Sequence, residues 1–327
     1  MVTSSEGGAA AGAMGGAAGR ATDGAAAGNA VAGSGDRPVR ILALELDPAN
    51  PPLRLGQWLA DAGASVEVRR VHAGDAVPGY PAGGAVGVPA GDVPAAGAPG
   101  VPASSANDSA AGYDAVLVLG GAYGVYDDDR APWLAAVRAF VSRVIADATP
   151  LLVIGLGAQI LAVAAGGRVE RAGSGYRLGA ALAAKRDITE QDLLLGSVPI
   201  TPDVMQFHRD SIVALPGGSV LLLASVADPV EAFRVGSTAW GLQFHVEAGA
   251  GDVRGWLDDP ARGVSDEDRE RSAARFGPAL DEADEMMAGT WQVVAHRFVD
   301  LVREGIPQTP TGRHAPRLPI VASELGG

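Results

Sequence analysis

The chain of 327 residues carries 25 basic against 38 acidic side chains, and its net charge of −13 repels phosphate backbones and anionic membrane surfaces, so neither nucleic acid nor a membrane is an expected partner. It has no cysteine, which excludes disulfides, thiolate metal sites and thiol catalysis. No basic segment leads into a Leu-rich stretch at the N-terminus, and no run of about 18 uninterrupted apolar residues occurs, so the expected location is cytoplasmic.

Residues 1–37 are almost entirely Ala, Gly and Ser, a composition that cannot bury enough surface to offset chain entropy, and a disordered tail is expected there. A single large domain is expected over 38–304, because much of the length is Gly, Ala and Pro, which build little core. Val39–Leu44 reads as a strand. After Asp47-Pro48, the residues Leu55, Trp58, Leu59 and Ala62 fall at helical spacing, and Gly63 closes the helix. Val66–Val71 alternates with Glu67 and Arg69 as a half-buried strand does, whereas Ala115–Leu119 is continuously apolar, as a central parallel strand should be. Between them, residues 73–112 repeat Pro, Gly and Ala too often for an ordinary loop and read as a low-complexity insertion.

Asp127–Asp129 precede Pro132 at the predicted first turn of a helix, where the helix dipole favours acidic residues; Trp133, Val137, Phe140, Val141 and Val144 form its buried face. The strand Leu151–Ile154 follows, then a helix from Gly157 to Ala165 that is apolar nearly all round and ends at Gly166-Gly167. From Leu178 to Phe244 short strands dominate, notably Val220–Ala224 and Ala239–Phe244, with a turn at Pro216-Gly217-Gly218. Residues 265–276 and 282–303 read as helical: Ser265 with Asp268 makes a capping box, and Met287, Trp291, Val294, Phe298 and Leu301 form a stripe expected to pack in the core. Residues 305–327 read as a polar C-terminal tail. Alternating strands and helices in the first half predict an α/β fold. Its central sheet is expected to be flavodoxin-like, doubly wound and mostly parallel, with helices on both faces, a strand-rich second half, and ligands at the C-terminal edge of the strands.

The segment Val153-Ile154-Gly155-Leu156-Gly157-Ala158-Gln159 is a strand, a sharp corner and a helix start, the geometry that lifts one residue above a sheet and frees nearby N–H groups for an oxyanion. It resembles the nucleophile elbow of the class I glutamine amidotransferase family, in particular the GMP-synthase-like glutamine amidotransferase domain, with Gly155 where the family carries Cys. Two further motifs follow the family's pattern: Gly241-Leu242-Gln243-Phe244-His245-Val246-Glu247 is similar to its Gly-Val-Gln-Phe-His-Pro-Glu, and Leu119-Gly120-Gly121 to its strand-end Gly pair. Weaker matches are Asp127–Asp129 with Pro132-Trp133-Leu134, and Glu231-Ala232-Phe233-Arg234. The chain departs from the family at Gly155, at Val246 in place of Pro, and at Arg177, near where many members carry Glu.

The resemblance implies a thiolate that attacks the side-chain amide of glutamine, a His that relays the proton and a Glu that orients it, the last two roles falling on His245 and Glu247. It also implies an oxyanion site at the N–H groups of Gly121 and Leu156, and substrate binding by Gln159. A base with nothing to activate cannot turn the substrate over by that route. The expected protein is therefore a glutamine-amidotransferase-like pseudoenzyme that binds glutamine or a related amide, with a separate synthetase or regulatory protein as partner. Two alternatives remain open. One is a Cys-independent amide or γ-glutamyl hydrolase using His245 and Glu247; the other is a non-catalytic regulatory or interaction module. His208, before Arg209-Asp210, matches a family position but is expected to be structural. The histidines His72, His208, His245, His296 and His314 show no ligand-like spacing, so no metal or other cofactor is expected.

Overall fold

The first strand, β1 (Val39–Glu45), puts Ile41 and Ala43 on one face and Leu42 and Leu44 on the other, and all of them are fully buried, so its sheet is covered on both sides. The computed structural model describes residues 37–79, 110, 112–173 and 175–307; the expected tail at 1–36, the insertion over 80–109 and at 111, and the C-terminal tail from 308 lie outside the described residues.

In chain order, β1 is followed by α1 (Leu53–Asp61), β2 (Ala64–Arg70), β3 (Ala115–Val118), α2 (Leu134–Ala146), β4 (Leu151–Ile154) and α3 (Leu156–Ala164). The second half is strand-rich: β5 (Arg168–Arg171), β6 (Arg177–Leu182), β7 (Ala184–Lys185), β8 (Asp203–His208), β9 (Asp210–Ala214), β10 (Val220–Ala224), β11 (Ala232–Val235) and β12 (Ala239–Leu242). It closes with α4 (Ala250–Asp258), α5 (Asp266–Ser272) and α6 (Pro278–Glu304).

The central sheet has eight strands in the order β2-β1-β3-β4-β12-β11-β10-β7. From β2 to β12 each neighbour is parallel, and β11, β10 and β7 complete the sheet antiparallel. One core packs Leu117, Leu152, Ile154 and Trp240 of the sheet under α1, α4 and α6. The other packs Val116, Val118, Leu151 and Val153 under α2 and α3. This is the mostly parallel, flavodoxin-like α/β architecture expected, with helices on both faces. Two small antiparallel ribbons, β5 with β9 and β6 with β8, stand apart from the sheet.

Several local expectations hold to within a residue or two. Gly63 ends α1 with φ +88°, Ser265 accepts the Asp268 N–H at 3.1 Å, and the stripe from Met287 to Leu301 is buried. Others are corrected. The acidic triplet does not sit in a helical first turn: α2 begins at Leu134, no acidic residue occupies its first turn, and Asp128 instead pairs with Arg138 at 2.6 Å while Asp127 accepts the Gly124 N–H at 2.9 Å. The helix predicted for 265–276 is α5 followed by a 3₁₀ turn at Ala273–Arg275, and α6 starts at Pro278, where a proline's missing N–H costs nothing. The strand predicted to reach Phe244 leaves the sheet after Leu242, because His245 bridges instead to Met205 of β8.

Candidate functional site

Four neighbouring parallel strands end at one edge of the sheet, and the loops that follow them bring together residues far apart in sequence. Asp47 and Asn50 follow β1, Gly120 and Gly121 follow β3, Gly155 follows β4, and His245 and Glu247 follow β12. This is the edge at which an open parallel sheet binds ligands.

Gly155 forms the corner between β4 and α3 with φ 56° and ψ −116°, a conformation that strains any residue with a β-carbon. Its N–H donates to Leu242 at 2.8 Å, and its carbonyl accepts from the N–H groups of Ala158 and Gln159 at 3.0 and 3.2 Å, so both strand and helix fix the corner. A β-carbon on Gly155 would stand 2.9 Å from His245 Cε1 and 3.3 Å from Nε2; one on Gly120 would stand 2.8 Å from the same Cε1. The imidazole thus fills space that two side-chain-free residues leave open.

His245 is held from three sides. Its backbone N–H donates to the Met205 carbonyl at 2.8 Å, its Nδ1 lies 2.7 Å from Glu247 Oε1, and its ring meets Trp256 edge-on with centroids 4.8 Å apart. Nε2 faces the Phe207 carbonyl at 3.3 Å. Both His245 and Glu247 are buried, and Glu247 Oε2 has no partner among the described residues. The Glu247 carboxyl beside Nδ1 holds the ring in one orientation.

In front of this pair lies a cleft of about 180 Å³ lined by Gly121, Gly155, Leu156, Gln159 and His245, so the sequence-selected residues converge, with Glu247 behind the imidazole. Gln159 is buried and its amide donates to the Asp210 carbonyl at 3.0 Å, tying α3 to β9. His208 also lines the cleft: Nε2 lies 2.8 Å from Gln206 Oε1 and Nδ1 lies 3.0 Å from the Asp210 carbonyl. Burial, only partly opposed by Asp228, pushes His208 down to about 4. The Gln206 amide in turn donates to both oxygens of Glu231 at 2.9 and 2.8 Å, and burial raises that carboxyl to about 7. Arg177, at one of the departures from the family pattern, pairs with Asp228 at 3.1 Å.

Sequence reasoning missed a second group beside His245. Arg262 is buried over Trp256 and Phe207, with its guanidinium carbon 4.8 and 5.5 Å from their ring centroids. Its Nη2 donates to Asn50 Oδ1 at 2.6 Å, and Asp47 Oδ1 lies 3.6 Å away. Asp47 also accepts the Ala122 N–H at 2.9 Å, bracing the loop after β3. No local pattern marks these residues. Among the described residues no group of three His, Asp or Glu side chains is placed to hold a metal ion, and no helix is long and apolar enough to cross a membrane.

Residues 99–254 match the family model for glutamine amidotransferase class-I. Over this stretch, just under half of its length, the chain is similar to class I glutamine amidotransferases. Over 169 residues it is 28% identical to the gamma-glutamyl-L-1-hydroxyisopropylamide hydrolase of a Pseudomonas species, covering 46% of this chain and 53% of that protein. Over 141 residues it is 32% identical to the glutamine-hydrolyzing GMP synthase of Porphyromonas gingivalis, covering 43% of this chain and 26% of that protein. The chain therefore spans about half or less of the length of these curated relatives. Its fold is that of solved amidotransferases. A glutamine amidotransferase from Thermotoga maritima superposes with TM-score 0.60 at 21% identity, covering 80% of this chain and 98% of that one. One from Methylobacillus flagellatus gives 0.61 at 21% identity, covering 85% and 98%. The candidate site lies at the sheet edge where His245 and Gly155 meet.

Proposed function

We propose that the cleft binds glutamine or a related amide and that Gly155 occupies the position of the nucleophilic Cys, leaving a pseudoenzyme within one domain over 38–304. The observation that carries this reading is the approach of His245 to the corner: the missing β-carbon of Gly155 would lie 2.9 Å from the imidazole of a His–Glu pair closed at 2.7 Å. Under this reading His245 is the base, Glu247 orients it, the N–H groups of Gly121 and Leu156 face the substrate carbonyl oxygen, and Gln159 supports the ligand. Without an attacking atom no acyl-enzyme forms, and the rate falls by roughly four to six orders of magnitude, on the order of 6–8 kcal/mol of barrier. Titration calorimetry with glutamine tests the binding: heat at millimolar ligand, without ammonia release, is the expected result, and no heat removes the reading.

A second reading is supported by the similarity to a γ-glutamyl amide hydrolase and by the closed His245–Glu247 pair. Here His245 activates water directly against the amide carbonyl, with no covalent intermediate. Steady release of glutamate and the free amine from a γ-glutamyl amide (ammonia where the amide is unsubstituted) that disappears in His245→Ala would support it; release unchanged by that substitution would discard it. The similarity to a GMP synthase supports a separate synthetase or regulatory protein as the proposed partner.

A further inference from the structure

A single hydrogen bond fixes one atom of a ring and leaves the ring free to turn about it, so the Glu247 contact to Nδ1 at 2.7 Å does not alone set where the rest of the His245 imidazole stands. The other ring nitrogen has the longer contact to the Phe207 carbonyl, at 3.3 Å. Toward the corner the ring meets bare backbone, since Gly120 and Gly155 carry no side chain to stop it. A further neighbour is Trp256 of α4, whose ring meets the imidazole edge-on with centroids 4.8 Å apart and meets the Phe207 ring edge-on at 5.4 Å. Trp256 is itself held from several sides: it is buried, its Nε1–H donates to the Ala49 carbonyl at 2.8 Å, and the Arg262 guanidinium carbon lies 4.8 Å from its ring centroid. Both Trp256 and Arg262 follow the stretch 99–254 that matches the family model.

We infer that Trp256 is a positioning residue of the candidate site, which sets how closely the His245 imidazole stands to the bare corner at Gly155. The three atoms nearest to a β-carbon at Gly155 are Cε1 and Nε2 of His245 and the Gly120 Cα, so the imidazole is the neighbour through which a side chain at residue 155 and one at residue 256 feel each other. An indole fixed at its N–H, its face and its edge moves little, and the ring it touches inherits that rigidity. Removing the indole lets the imidazole retreat, which relieves the crowding at residue 155 and loosens the aim of the ring into the cleft. The inference rests on reading His245 as the acid–base residue of the cleft, and the placement it describes is tested without a ligand.

The test is a mutant cycle on the full chain, read by urea unfolding, with Gly155→Ala, Trp256→Leu and His245→Ala. In the Trp256→Leu background the ring has room to yield, so Gly155→Ala is expected to lower the folding equilibrium constant roughly tenfold less than it does in the parent. That coupling is expected to vanish in His245→Ala and to survive little changed relative to the parent when Trp256→Phe, which keeps an aromatic edge, replaces Trp256→Leu. Additive effects of Gly155→Ala and Trp256→Leu, or a coupling that persists without His245, overturn the inference. A second measurement is the rate of carbethoxylation by diethyl pyrocarbonate, read by peptide mass at His245 and at His208 of the same cleft. A several-fold acceleration at His245 alone in Trp256→Leu, absent in Trp256→Phe, is expected; equal acceleration of both histidines, or of neither, overturns the inference. Should Trp256→Leu not fold, Trp256→Met fills more of the space and replaces it in both measurements. Calorimetric titration of the parent with glutamine keeps the two readings apart: coupling without binding upholds the positioning and removes the amide site, and binding without coupling does the reverse.

Discussion

His245 Cε1 stands 2.9 Å from the point that a β-carbon on Gly155 would occupy, closer than real β-carbons approach a neighbouring atom. The imidazole and the bare corner are therefore fitted to one another, and a side chain at residue 155 must both strain a backbone at φ +56° and displace the ring. Gly155→Ala is expected to destabilise the fold by about 1–3 kcal/mol, read as a lowered urea midpoint with an unchanged slope. Gly155→Cys should carry a similar cost. It is also expected to release ammonia from glutamine where the parent does not, provided His245 swings back from the Phe207 carbonyl. Turnover by the parent equal to that of the Cys variant would show that the corner never held the nucleophile.

Glu247 has no exposed surface and bonds His245 Nδ1 at 2.7 Å, so its removal strands a buried ring N–H. Glu247→Ala should cost about 1–3 kcal/mol, whereas Glu247→Gln, which keeps an acceptor of the same shape, should cost less. Unfolding curves that rank the two variants the other way would mean that the pair is not what holds the imidazole.

The fold was legible because its strands are short apolar runs and its helices have apolar stripes: Ala115–Val118 is buried throughout, as a strand between two helical layers must be, and α6 buries the stripe from Met287 to Leu301. The site was legible only where its residues come in local motifs, as at Gly155 and at His245 with Glu247. Arg262 reaches Asn50 across 212 residues of sequence, and no pattern within a window of the chain encodes that meeting. The helix α4 was hidden differently: Gly251 and Gly255 dilute its helical signal, and its stability comes from burying Val253 and Trp256 rather than from propensity. The acidic triplet misled because proximity to a proline suggested a helix start, while Arg138, one turn inside α2, offered Asp128 a direct partner.

Two buried groups beneath the cleft make stability depend on pH in opposite directions. Glu231 is raised from 4.5 to about 7, so between these values the folded protein keeps a proton that the unfolded chain releases, and stability falls as pH rises through that window. His208 is lowered from 6.5 to about 4, so stability is lost as pH falls through that range, where the unfolded chain binds a proton that the folded protein refuses. The two slopes oppose one another from about 4.5 to 6.5, and the Glu231 slope alone remains up to about 7. Glu231→Gln cannot ionise, so relative to the parent it should gain stability from about pH 5 to about pH 8, by on the order of 3 kcal/mol. Urea unfolding of both proteins across that range measures the gain, and a difference independent of pH would show that Glu231 titrates normally.

Arg262 ties the loop after α4 to the loop after β1, and its charge is buried between Trp256, Phe207, Asn50 and Asp47. Burial lowers its pKa while Asp47 opposes the shift, so the carboxylate helps keep the guanidinium charged. Arg262→Ala removes the cation, uncovers the Trp256 ring that abuts His245, and leaves Asp47 and the Asn50 carbonyl oxygen facing a void. A loss of about 3 kcal/mol is expected, since breaking one side of a buried pair costs more than the pair itself contributes. Arg262→Met, which refills the volume without the charge, should recover part of the packing but not the hold on Asn50. It should therefore restore stability more than it restores glutamine binding. If both variants bind glutamine as the parent does, Arg262 braces the wall of the cleft without shaping its ligand.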